Sequence, residues 1–123
     1  MLVQILKSKI LRAETTDAIK DYEGSLAIDE LLMKKVGLMY GEKILVGNIT
    51  NGKRFETYAI PAPAGSKTIS LRGAAAHMGQ KGDLLVLMSF AMMTPEEAKA
   101  WVPSTITLAE HNSKIIKSQN ALQ

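Results

Sequence analysis

From Val3 to Arg12 apolar and polar residues mix with a partial period of two, the spacing of a half-buried strand. Ile44-Leu45-Val46 opens a second strand-like run that reaches Thr50. Asn51-Gly52 follows, and a third run extends from Arg54 to Ile60. Asn-Gly between two such runs predicts a hairpin, because both residues tolerate positive φ. Leu84-Leu85-Val86-Leu87-Met88-Ser89-Phe90 is apolar almost without interruption and predicts a strand buried on both faces. Thr105-Ile106-Thr107-Leu108 alternates again.

Helical signals are short. Asp29 is placed to cap a helix through Lys35, with Ile28 and Met33 spaced as a hydrophobic staple and Gly37 near its end. Thr94-Pro95-Glu96-Glu97 has capping-box spacing with proline at the first helical position, and leads toward Trp101. Gly73 followed by Ala74-Ala75-Ala76 suggests one more helical turn. Pro61 to Gly65 reads as a surface loop, and the tail after about Lys114 as loosely ordered. No repeat or interdomain linker is visible. Many short strands, few helices and no alternation of strand with helix predict a mainly β protein, a closed barrel with helical additions.

A chain of 123 residues makes one domain, residues 1–123, for which burial between subunits is useful. The net charge of +3 comes from scattered lysines, which gives nucleic acid binding little support and suits small anions. The absence of cysteine excludes disulfides, thiolate catalysis and thiolate metal sites. His77 and His111 alone do not make a metal site. The apolar start Met1 to Lys7 is too short for a signal peptide, and no apolar run is long enough to span a bilayer. A cytoplasmic protein without a membrane partner is the expectation. Seven methionines and few aromatics suit a small, irregularly filled core.

Candidate chemistry starts at Gly24-Ser25. Alone, the pair reads as a turn. A serine hydroxyl can also attack the preceding carbonyl, where strain and a donor aimed at the oxyanion assist, and glycine permits backbone conformations closed to other residues. Lys9 and Arg54 suit carboxylates, although strand cations usually just face water. Thr57 and Tyr58 fit a half-buried strand, and a phenol is a plausible acid in a desolvated site.

Three segments stand out together: Asp21-Tyr22-Glu23-Gly24-Ser25-Leu26-Ala27-Ile28-Asp29, Thr50 to Ile60, and Gly73-Ala74-Ala75-Ala76-His77, with Lys9 upstream. In that order and spacing the chain resembles the bacterial aspartate 1-decarboxylases, from Lys9 to about Pro103. The resemblance implies a double-psi β-barrel assembled as a homotetramer. It implies self-cleavage between Gly24 and Ser25, with Ser25 becoming a covalent pyruvoyl cofactor that forms a Schiff base with L-aspartate. The products are β-alanine and carbon dioxide, and the pathway is pantothenate and coenzyme A synthesis. Arg54 and Lys9 would then contact substrate carboxylates and Tyr58 would protonate the product carbon. Thr57 would polarise the scissile carbonyl and line the site, and the Gly73-Ala74-Ala75 backbone would approach the substrate. A maturation factor remains open.

The chain departs from this pattern at Leu11, where histidine is common, and at Arg72, where asparagine is common. Two other readings therefore stand beside the first: a pyruvoyl decarboxylase with altered substrate, and an uncleaved barrel serving as a binding module. Arg72 is expected to point outward to a carboxylate such as Glu56 or Asp21, since an unpaired buried guanidinium is costly.

Overall fold

The computed structural model describes Met1–Gln123, with 50% of residues in strands and 15% in helices. Nine strands form one mixed sheet: β1 (Val3–Glu14), β2 (Asp17–Ile19), β3 (Ser25–Asp29), β4 (Lys43–Asn48), β5 (Arg54–Ala62), β6 (Ile69–Arg72), β7 (Leu84–Met93), β8 (Ser104–Ala109) and β9 (Lys114–Gln119). The spatial order is β2-β6-β3-β5-β4-β7-β1-β8-β9. The pairs β1/β8, β2/β6 and β3/β5 are parallel and the others antiparallel. The sheet is barrel-like, because side chains from β1, β3, β4, β5, β6, β7 and β8 meet in one core that includes Ile10, Leu26, Val46, Ala59, Leu71, Leu87 and Ile106. No helix is long and apolar enough to cross a membrane.

Helix α1 (Glu30–Val36) begins where Asp29 accepts from the Leu31 N–H at 2.9 Å, and ends at Gly37 with φ +74°. Asp29 also accepts from the Gly65 and Lys67 N–H groups, so one buried carboxylate joins β3, α1 and the loop before β6. The expected capping box opens α2 (Pro95–Ala100). Gly73–Met78 forms the expected additional turn, of 3₁₀ type.

Four expectations need correction. The β4/β5 hairpin exists, but its loop is Ile49–Lys53 and only Gly52 has positive φ. Asn48 is the reason: its side-chain oxygen takes the Thr50 and Asn51 N–H groups, which curls the chain out of the ladder early. β7 is not buried on both faces within the chain, because nothing covers its outer side. Leu85, Leu87 and Ser89 are buried while Leu84, Val86 and Met88 are half-buried. β5 continues through Pro61 to Ala62, since parallel pairing with β3 carries it that far. The tail after Lys114 is the ordered strand β9, held on β8 and by Leu122 N–H to the Lys35 carbonyl at 3.0 Å. All six residues of β9 are exposed, so main-chain pairing rather than burial orders it.

The β8–β9 turn places Glu110, His111 and Asn112 at φ +50°, +57° and +64°, a run L-residues rarely adopt. Buried Asn112 holds it, accepting from the Glu14 N–H at 2.7 Å and donating to the carbonyls of Glu14 and Lys67. His111 Nδ1 lies 2.6 Å from Glu14 Oε2, and this hydrogen bond and charge, with a smaller push from Glu110, raise the His111 pKa above 6.5. A raised folded value makes the contribution of the pair fully present below about pH 6.5, and it is lost as pH rises through the folded pKa. Because the pair is exposed, the effect on stability is small. An NMR titration of His111 is expected to give a midpoint above 6.5 that falls in Glu14→Gln. An unmoved midpoint would mean the pair does not form in solution.

Candidate active site

Ser25 opens β3, whose five residues are all buried, and is itself 1% exposed. Leu26 and Ile28 point into the core, so alternation turns Ser25 to the opposite face. On one side Ser25 pairs directly with Arg72 of β6. On the other, Leu26 pairs with Ala59 of β5, and extending that register by one residue sets Ser25 beside Tyr58. Arg72, Ser25 and Tyr58 therefore form a row across three strands on one face. Thr57, one residue earlier on β5, shares the parity of core residue Ala59 and turns the other way.

The Ser25 hydroxyl lies back along the chain. Its acceptor is the Glu23 carbonyl, at a long 3.5 Å, so the oxygen is turned back toward the segment before it and held by no strong competing bond. Gly24 does not need its glycine in the expected way. Its φ is not positive, and a Cβ there would meet only the Ala74 nitrogen at 3.9 Å. The special conformation sits across from it. Gly73 has φ +67°, and a Cβ on it would fall 2.5 Å from the Gly24 nitrogen, 2.6 Å from the Tyr22 carbonyl oxygen and 2.7 Å from the Glu23 carbonyl carbon. The backbone at Gly73 is thus pressed against the segment leading into Ser25, with Ala74 next to it and Ala75 buried behind.

Arg72 does not pair with a carboxylate. Glu56 is taken by Lys43 at 2.6 Å, while the Arg72 guanidinium lies 4.9 Å from the centre of the Tyr22 ring and its Nε donates to Ser70 Oγ at 3.3 Å. A planar cation can stack on an aromatic face at lower desolvation cost than deep burial, which is why a carboxylate is not required.

Lys9 and Arg54 are not gathered around Ser25. Lys9 pairs with Met88, Met88 with Leu45 and Leu45 with Glu56, which puts Lys9 three strands from β5 along the sheet. Arg54 starts β5, four residues from Tyr58, or about 13 Å. It stands in a shallow cleft with Gly47, Asn48, Ile49, Gly52, Lys53 and Val86. Neither cation takes part in an ion pair. Leu11 shares the row of Arg54 through Val86 and Gly47. Tyr22, which sequence reasoning treated only as flank, and the positive φ of Gly73 are the features it missed.

Fold and site together define a small β-sheet protein organised round a buried serine whose hydroxyl is turned back along its own chain toward the Glu23 carbonyl. The chain belongs to the aspartate decarboxylase family, whose model matches residues 1–115. It is 48% identical to the aspartate 1-decarboxylase of Caldicellulosiruptor saccharolyticus over 98% of this chain and 93% of that protein. The aspartate 1-decarboxylase of Coprothermobacter proteolyticus is 48% identical over 98% of this chain and all of its own length. That of Caulobacter vibrioides is also 48% identical, over 91% of this chain and 95% of its own. The chain is accordingly an enzyme of the carboxy-lyase class.

Proposed function

We propose that this enzyme cuts itself between Gly24 and Ser25, converts Ser25 to a pyruvoyl group, and decarboxylates L-aspartate to β-alanine in the cytoplasm for pantothenate and coenzyme A synthesis. The observation that carries this reading is the buried Ser25 hydroxyl turned back along the chain toward the Glu23 carbonyl, with the Gly73 backbone packed against the segment that leads into it. In maturation Ser25 Oγ adds to the Gly24 carbonyl carbon. The hydroxyl proton passes to the Ser25 nitrogen, and the C–N bond breaks to leave an ester. Loss of the Ser25 Cα proton expels the Gly24 carboxylate and leaves dehydroalanine. Water then replaces nitrogen, which departs as ammonia.

The residues present fit such a group. Ser25 is buried, the residues packed beside its segment, Gly73 and Ala74, are small, and Tyr58 stands on the adjacent strand. Once formed, the pyruvoyl group supplies an electron-withdrawing carbonyl for loss of carbon dioxide from an amino acid. Arg54 and Lys9, free of acidic partners, bind substrate carboxylates, and Leu11 adds no competing charge on that face. Tyr58 holds the proton destined for the product carbon, and Thr57, turned away from the Ser25 side chain but level with Gly24 in the same extended register, assists cleavage from that side. The test is intact mass of the purified protein together with β-alanine release from L-aspartate. A single uncut mass with no release would refute the proposal.

Tyr58→Phe is expected to cleave normally, because the phenol hydroxyl is not the attacking group, yet to form β-alanine about 10²- to 10⁴-fold more slowly, the usual worth of a positioned acid. Wild-type turnover by the cleaved mutant would assign the proton to another group.

The spacing of the cations bears on assembly. Lys9 lies four strands from Ser25 along the sheet, and Arg54 four residues along β5 from Tyr58, the neighbour of Ser25. Beside them the outer face exposes Phe90 (39%) and Met92 (58%) and leaves Val86 and Met88 half-buried. We propose a homotetramer in which neighbouring copies bring these groups together. Light scattering at micromolar concentration is expected to give four times the chain mass, and a monomer would refute shared sites.

A further inference from the structure

The loop between β2 and β3 has little to hold it. Residues 20–24 carry one backbone hydrogen bond of their own, Tyr22 N–H to the Lys20 carbonyl at 3.0 Å, and Tyr22 is 55% exposed. Gly73 presses on this loop from one side but supplies only a close approach. Arg72 reaches across it: its guanidinium lies 4.9 Å from the Tyr22 ring centre while Ser70 Oγ accepts from its Nε and fixes its direction. Arg72 is also the ladder partner of Ser25. One residue therefore ties both ends of the segment Tyr22–Ser25: its backbone pairs with the nucleophile and its side chain covers the aromatic three residues upstream.

We propose that Arg72 is a positioning residue for self-cleavage, acting as a clamp through Tyr22 that restrains the Tyr22–Gly24 segment so that the Gly24 carbonyl stays under the Ser25 hydroxyl. The inference rests on the self-cleavage reading above. Arg72 does not touch the reacting atoms in this role. With the stack broken, Tyr22 and the loop sample more conformations, and fewer of them present the carbonyl within reach. A guanidinium needs only an aromatic face, so phenylalanine at position 22 serves as well as tyrosine. Lysine at position 72 keeps the charge but loses the flat fork directed by Ser70.

The experiment follows cleavage of freshly isolated precursor by intact mass, for wild type and for Arg72→Ala, Arg72→Lys, Tyr22→Ala, Tyr22→Phe and the double alanine variant. Unfolding midpoints of the same substitutions are measured on a Ser25→Ala background, where nothing is cut. Arg72→Ala and Tyr22→Ala are each expected to slow cleavage about two- to fivefold, the rate equivalent of one exposed cation–π contact. The double variant is expected to be no slower than the slower single, Tyr22→Phe to match wild type, and Arg72→Lys to fall between. Steady-state KM for aspartate in the matured variants is expected to stay put. The clamp is overturned by wild-type cleavage in either alanine variant, by additive slowing in the double, or by midpoints that fall in step with the rates. A changed KM with unchanged cleavage would also overturn it, and would make Arg72 a substrate contact. A wild-type chain that never cuts removes the underlying self-cleavage reading instead, and is told apart from failure of the clamp by that control.

Discussion

Replacing Ser25 with alanine is expected to give a folded, uncut chain with no decarboxylase activity. In the proposed mechanism the hydroxyl attacks the Gly24 carbonyl and is the source of the ketone that activates the substrate, so its loss removes both steps at once. Its structural contribution is slight. The Oγ makes a single long contact of 3.5 Å to the Glu23 carbonyl, and an alanine methyl occupies the same buried position at the head of β3. Loss of one weak hydrogen bond changes stability by about 1 kcal/mol or less. Circular dichroism and the unfolding midpoint should therefore match wild-type precursor, while a denaturing gel shows one band and aspartate gives no β-alanine. Two fragments from this mutant would show that another residue cuts the chain.

Such a mutant separates fold from chemistry, and the sequence separates them in a similar way. Strand positions were legible wherever one face of a strand meets the core, as in β8, where Ile106 and Leu108 are buried and Thr105 and Thr107 are not fully so. Helix starts were legible because Asp29 and Thr94 carry their own capping oxygen. The apolar run of β7 misled because an apolar strand facing solvent in one chain reads the same as one packed on both sides. β9 was missed because its order comes from pairing with β8, a partner the local pattern does not reveal.

Around the site the same division holds. Gly24 drew attention as the residue before Ser25, but the strained backbone lies at Gly73, which sits in a helix-like run of small residues and meets Gly24 only in three dimensions. Arg72 was visible as an unusual residue, yet its aromatic partner was not, since Tyr22 lies far away in sequence and no periodicity links the two.

Gly73→Ala is expected to damage self-cleavage more than any substitution that leaves Ser25 in place. At φ +67° an alanine costs about 1–2 kcal/mol from its own Cβ. That Cβ would also lie 2.5–2.7 Å from backbone atoms of Tyr22, Glu23 and Gly24, none of which is the flexible end of a side chain. Something must shift. The 3₁₀ turn is packed through Ala75 and Ala76 into the core, whereas the opposing loop has a single backbone bond of its own, so the loop moves. Its displacement carries the Gly24 carbonyl away from the Ser25 hydroxyl, and a misplacement of about 1 Å at a reacting centre costs about 10²-fold in rate. Gly24→Ala is the control. Its φ is not positive and its Cβ site is open, so it is expected to keep precursor stability and to cleave within a few-fold of wild type. Cleavage rates from intact mass, with unfolding midpoints for both variants, decide the matter. Wild-type cleavage in Gly73→Ala, or equal losses in the two variants, would show that close packing of Gly73 on the loop is not what positions the scissile peptide.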